Sequence, residues 1–309
     1  MQSALITHPV YLEHQTPDHH PEHASRLTAI TEALDTPEFA SLLRHQPKPA
    51  SPDTVALAHH NGHLSKLESQ LPRHTDELTW IDGDTCLSAQ SLNAALAAAG
   101  GACEAVDLLF QGRAGNAFCA SRPPGHHATY DSAMGFCLLN NVAIAARHAQ
   151  LQHAVERVAI VDFDVHHGNG TQDIFAADAS VLYASTHQQP LFPGTGSAAE
   201  TGVGNLINRP LTAGSSGKEF RAAYEQDIFP AIDSFAPQLL LVSAGFDGHR
   251  LDPLANLQLE VEDYAWITQK LRDLAERHCT GRLVCVLEGG YHLPALAASV
   301  AAVVKVLQH

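Results

Sequence analysis

Seven short apolar runs, most of them followed by a helical pattern, constrain the fold of this 309-residue chain more than any other feature. They are Ala4–Thr7, Ala117–Ala120, Val158–Phe163, Val181–Ser185, Leu206–Pro210, Leu239–Ala244 and Leu283–Glu288. Continuous apolar runs of this length fit strands buried on both faces. Their alternation with helices predicts an α/β fold, a parallel sheet covered by helices on both sides. An Ala-rich helix is expected from Ser88 to Phe110, with others over Asn140–Leu151, Lys218–Phe235, Val261–His278 and Pro294–Leu307. Thr36-Pro37 and Ser51-Pro52 each put a hydroxyl at an N-cap and proline in the first turn. No linker or repeat is visible, so residues 1–309 are expected to form one domain.

Composition narrows the function classes. Lys and Arg total 18 against 33 Asp and Glu, a formal net charge of −15. Phosphate binding needs a basic surface, so nucleic acid is not expected as a direct ligand. A cationic substrate would be steered favourably. The six cysteines include no CxxC pair, so neither a thiolate zinc site nor a disulfide framework is expected. No signal peptide and no apolar stretch of membrane-spanning length is apparent, which makes the cytoplasm the default location. Of the 21 histidines, those around His8, His14, His19, His20 and His23 are expected at the surface.

Chemistry concentrates where the apolar runs end. In VDFDVHHGNG (161–170), Asp164 and His166 stand two apart, and side chains two apart on a strand share a face. A carboxylate and an imidazole would thus leave a strand end together, and a metal is the natural partner for a charge placed there. Asp247 follows another buried run and supplies a third donor. Three protein ligands leave a position open for water or substrate; the mixed N/O set suits Zn²⁺ and also Fe²⁺. Each aspartate alone also fits a helix cap. His126 and His127 follow two stiffening prolines and a glycine, and imidazole suits proton transfer near neutrality. Asp162 fits an acceptor that orients a histidine. The glycines of LEGGY (287–291) let the backbone approach the site and deliver Tyr291, whose hydroxyl could hold a developing oxyanion. The long loops at 8–24, 122–137, 186–205 and 246–260 read as functional.

RPPGHHA (122–128), GFC with the following Asn-Asn (135–141), DFDVHHGNGTQ (162–172), LFPGTG (191–196), AGFDGHRLDPL (244–254) and LEGGY resemble the zinc-dependent histone deacetylase family. That family also contains bacterial acetylpolyamine amidohydrolases and acetoin-utilisation proteins. The resemblance runs from the N-terminal HPE segment to LEGGY. It implies the arginase/deacetylase fold, with an eight-stranded parallel sheet, one strand more than the apolar runs provide. Asp164, His166 and Asp247 then match zinc ligands, His127 the general base and acid, and His126 its electrostatic partner. Asp162 matches the residue that orients His126, and Tyr291 the carbonyl-polarising tyrosine. Phe136 and Phe192 match the walls of an acyl-lysine tunnel, with Gly135 contributing backbone. Asp162, Asp164, His166, Ser185 and Thr186 match a K⁺ or Na⁺ site.

The resemblance also bears on subgroup and substrate. Asn169 behind the second histidine is closer to class II members. His23 stands where HPER is usual, and that arginine is associated with a channel for released acetate. Leu254 occupies the place where animal polyamine deacetylases carry a glutamate, which favours acetylated lysine of proteins or peptides over acetylated polyamines. Asp82, Asp84 and Asp252, as candidate substrate-binding acids, argue the other way. More distant alternatives are an arginase-like ureohydrolase, which needs two bridged Mn²⁺ ions, and a non-catalytic acyl-lysine-binding module. Association into homo-oligomers is left open.

Overall fold

The seven expected strands form in the structure, a computed structural model describing residues 1–309, and an eighth joins them. In chain order the strands are β1 (Ser3–Ile6), β2 (Leu43–His45), β3 (Thr79–Trp80), β4 (Cys86–Leu87), β5 (Asn116–Cys119), β6 (Val158–Asp162), β7 (Val181–Gln188), β8 (Leu206–Leu211), β9 (Leu239–Ala244) and β10 (Leu283–Leu287). Eight of them make one all-parallel sheet in the order β2-β1-β5-β10-β9-β6-β7-β8. The strand without a sequence signal is β2, a three-residue edge strand that is only partly buried. β3 and β4 pair separately as a small antiparallel hairpin.

The helices are α1 (Ser25–Leu34), α2 (Pro52–Val55), α3 (His63–Gln70), α4 (Ser91–Phe110), α5 (Asn141–His153), α6 (Asn169–Phe175), α7 (Gly217–Ala223), α8 (Phe229–Phe235), α9 (Val261–His278) and α10 (Leu293–Gln308). Successive strand residues feed opposite cores, as period-2 geometry requires. Ala159, Val161, Leu240 and Val242 pack with α1, α9 and α10, while Val158, Ile160, Leu239 and Leu241 pack with α4 and α5.

Several expectations need correction. The Ala-rich helix begins at Ser91, because the Ser88 N–H is held by the Ser91 hydroxyl (2.7 Å) in the turn before it. That helix is, by length and composition, apolar enough to cross a membrane, contrary to the sequence reading. Its 18-residue window is 78% buried inside the protein, as befits a core helix. The expected Lys218–Phe235 helix is broken into α7 and α8 by a π-turn over Tyr224–Ile228. Pro230 has no N–H for the regular ladder, and the wider turn accommodates it.

Strand register sets up the site. Asp162 lies opposite both Ser185 and Ser243, so β6 and β9 end within a residue of one another while β7 runs on to Gln188. The loops after β5, β10, β9 and β6, four adjacent central strands, therefore leave one edge together. Open α/β sheets hold ligands at this edge.

Candidate active site

Asp164 and His166 lie beyond β6, which stops at Asp162. A shared strand face therefore does not pair them; local turns bring them together instead. The Asp162 Oδ1 accepts the Asp164 N–H (3.1 Å), and the Asp164 Oδ1 accepts the His166 N–H (2.8 Å). Two successive aspartate turns of this kind curl the chain inward. Asp247, past β9, is tied to the same loop by the Val165 N–H (2.9 Å). The His166 Nδ1 lies 3.2 Å from Asp164 Oδ1 and 3.0 Å from Asp247 Oδ2, and one donor atom from each residue falls within 4.8 Å of the others. All three residues are buried.

These residues fit a bound cation. Asp162, Asp164, Asp247, Asp252 and Glu288 are five buried carboxylates in one neighbourhood. Burial, with Asp164 nearby, raises the Asp247 carboxyl, and burial pushes Asp252 and Glu288 up to about 7. Buried negative charge on this scale is stable only when offset. Gly289 lets the backbone come close: a Cβ there would lie 2.1 Å from Asp247 Oδ2, and its N–H donates to Asp164 Oδ2 (2.8 Å).

The two histidines after β5 differ in state. His126 Nδ1 donates to Asp162 Oδ2 (3.0 Å). Burial opposes its charge, but Asp162 and Asp164 prevail and push it up to about 10. His127 is held well below its ordinary value by burial and by the neighbouring His126. Its Nδ1 donates to Asn169 Oδ1 (2.8 Å), which leaves the Nε2 lone pair free. The rings lie 4.0 Å apart, so an imidazolium sits against a neutral imidazole.

A cavity of about 250 Å³ opens over this cluster, lined among others by Asp84, His127, Gly135, Phe136, Phe192, Leu254 and Tyr291. Phe192 meets His127 edge-on at 5.1 Å, and Phe136 meets Tyr291 at 6.0 Å. Gly135 and Phe136 both have positive φ (56° and 67°). A Cβ at Gly135 would lie 2.6 Å from His127 Cδ2, so this loop can pack on the histidine only as glycine. Asp82 is not in the lining; its Oδ1 accepts the N–H groups of Asp84 and Thr85 in the β3–β4 turn. Asp252 is not a mouth charge either. It is buried and accepts N–H from Tyr291 (2.7 Å), His292 and Leu254, clamping the tyrosine loop to the loop after β9. Asp162 ends β6 opposite Ser185 of β7, with Thr186 the next residue of that strand. The Ser185 and Thr186 hydroxyls bond His187 (2.9 Å) and Tyr224 (3.2 Å).

Two residues escaped the sequence reading, and a third was misplaced. The Glu288 Oε2 accepts the N–H of Gly125 (2.6 Å) and His126 (3.2 Å), fixing the histidine loop. Its signal was a carboxylate at a strand end inside LEGGY. Arg26 is fully buried and donates to the carbonyls of Gly290 (2.6 Å) and Glu288 (2.5 Å). Arg26 is thus the buried arginine that follows the HPE segment, three residues after His23, and His23 only bonds Ser25 nearby. His14, expected at the surface, is buried against Ser91 (2.7 Å) and Glu22.

Known proteins resemble this chain in sequence and fold. The family model for the histone deacetylase domain matches residues 20–307. "Histone deacetylase 10, chloroplastic" of Oryza sativa subsp. japonica is 41% identical over 91% of this chain and 68% of its own length. The "Histone deacetylase-like amidohydrolase" of Pseudomonas aeruginosa is 39% identical over 88% and 71%. Among solved structures, the HDA15 HD domain superposes with a TM-score of 0.93 at 36% identity, covering 99% of this chain and 88% of that one. With its eight-stranded arginase/deacetylase fold, the chain belongs to the histone deacetylase family and is a hydrolase of that family.

Proposed function

We propose that this protein is a zinc-dependent deacetylase, folded as one domain, that removes acetyl groups from lysine side chains of proteins or peptides. The observation that carries the reading is the meeting of a three-donor cluster, a neutral histidine and a tyrosine at one narrow cavity. Asp164, His166 and Asp247 would hold Zn²⁺, which when bound supplies a Lewis acid for the amide carbonyl and acidifies water. His127 Nε2, left free by the bond to Asn169, accepts the proton of the attacking water. Tyr291 donates its hydroxyl to the carbonyl oxygen as negative charge develops. His126, charged and held by Asp162, stabilises the transition state and keeps its partner neutral until attack. The leaving amine takes the proton that His127 collected. Phe136 and Phe192 flank the lysine stem and exclude water. Asp162, Asp164, His166, Ser185 and Thr186 provide oxygens for K⁺ or Na⁺ behind the site.

Leu254 in the lining favours lysine, because it offers no counter-charge for a second ammonium. Asp84 in the same lining favours the second reading, an acetylpolyamine amidohydrolase. The first experiment is turnover of an acetyl-lysine peptide by the purified protein, with and without a chelator. Hydrolysis lost on chelation, restored by Zn²⁺ and blocked by a linear-chain hydroxamate supports the proposal. Asp164→Ala that retains full activity without bound metal would overturn it.

A further inference from the structure

The edge of the sheet opposite the cavity carries a second cluster of metal-type ligands. Helices that return between parallel strands end at the strands' amino-terminal edge, and α4 and α5 precede β5 and β6 in this way. The last turn of α4 and the last two turns of α5 bring together Asp107, His148 and His153. The Nε2 atoms of His148 and His153 lie 2.8 and 2.6 Å from the same oxygen, Asp107 Oδ1. One donor atom from each residue falls within 4.8 Å of the others. The His148 and His153 side chains are 15% and 17% exposed and the Asp107 side chain 35%, so the group is held yet reachable from solvent.

We propose that Asp107, His148 and His153 form a second, peripheral binding site for a borderline divalent metal ion of the Zn²⁺ class. Two imidazole nitrogens and one carboxylate oxygen are the ligand set that suits such ions, and imidazole disfavours Mg²⁺ and Ca²⁺. Side chains five apart on an ideal helix differ by about 140° in direction. His153 nonetheless converges with His148, its ring stacked on Phe110 at 4.6 Å and 11°. The Arg282 guanidinium lies 4.4 Å from the centre of that Phe110 ring. The imidazole is thus oriented before any metal arrives. Bonds of about 2.0–2.1 Å to a tetrahedral ion separate donors by roughly 3.4 Å. The Asp107 carboxylate must therefore back away by roughly 0.6–0.8 Å, which its exposure permits. A cleft of about 430 Å³, lined by Glu104, Asp107 and His148 among others, gives an ion access and room for water as a further ligand. Bound there, the metal ties the end of α4 to the end of α5 and stabilises the fold by mass action.

The competing account is two imidazole N–H groups sharing one acceptor with no metal. Asp107→Asn separates the two, since the amide oxygen still accepts hydrogen bonds but is a poor metal ligand. The test is zinc content after dialysis against micromolar free Zn²⁺. The wild type should hold one equivalent per chain more than Asp107→Asn, His148→Ala and His153→Ala. In an Asp164→Ala background, which removes a ligand of the cavity cluster, Zn²⁺ should raise Tm while Mg²⁺ does not. Adding His153→Ala should abolish that rise. Equal zinc content in wild type and all three single variants overturns the proposal. If the histidine variants fail to fold, equal content in wild type and Asp107→Asn overturns it alone.

Discussion

Tyr291 and Leu254 share one cavity but govern different things, the rate and the choice of substrate. Tyr291→Phe removes a donor without touching the metal cluster. Zinc content should be unchanged and kcat should fall on the order of 10²–10³-fold, the usual loss for one oxyanion donor. A loss below threefold in steady-state assays would show that the hydroxyl does not serve the carbonyl. Leu254→Glu places a carboxylate in the lining and should raise kcat/KM for acetylspermidine relative to an acetyl-lysine peptide. A wild type that already prefers the polyamine would reverse the substrate assignment. The motif residues His126, His127 and Tyr291 were legible because unusual residue types followed strand ends. Arg26, Glu288 and the clamping role of Asp252 were not legible, because each acts on a backbone group distant in the chain. Glu288 accepts from Gly125 and Asp252 from Tyr291, contacts that no local pattern encodes.

Among the elements, the 134–137 turn carries the tightest steric demand. Gly135→Ala would put a methyl against His127 and strain a positive φ. We expect Tm to fall, with a destabilisation of about 1–3 kcal/mol, and kcat to fall at least about tenfold through the displaced histidine. Circular-dichroism melting and steady-state kinetics on the same preparation check both effects. Unchanged kinetics would mean that the turn yields and the histidine does not. Element positions were legible where hydrophobic periodicity was strong. The expected β9 (Leu239–Ala244) and α9 (Val261–His278) keep their boundaries in the structure. β2 left no signal, since a short edge strand with partly exposed residues lacks a continuous apolar run. The strand-face rationale for Asp164 and His166 reached the right neighbourhood through the wrong geometry. Side-chain-to-backbone turns, not pleat, set their direction.

At the scale of the whole molecule, buried neutral histidines link stability to pH. Burial lowers His59 and His187 to about 4 and His167 to about 3. In the unfolded chain each titrates near 6.5. Between these values the unfolded state binds more protons, so their stability contribution is complete above about pH 6.5 and is lost as pH falls towards 4. Each contributes a slope of about 1.4 kcal/mol per pH unit inside its window. Asp252 and Glu288, raised to about 7, act in the opposite sense over the same range, so the histidine contribution is read by difference. The urea midpoint of His59→Gln should fall less from pH 7 to pH 5 than that of the wild type, even if the variant is weaker at pH 7, and an identical pH dependence in the two proteins would refute the linkage. The sequence by itself determined the alternation of strands and helices, and hence the parallel sheet, because burial on both faces forces continuous apolar runs. It also determined which residue types gather at the strand ends, since charged groups there need a partner. Only the tertiary structure decided the pairing order that sets four loops side by side, the eighth strand, and the neutral and charged states of His127 and His126. Each of these depends on contacts between residues far apart in the chain, whose geometry no local window contains.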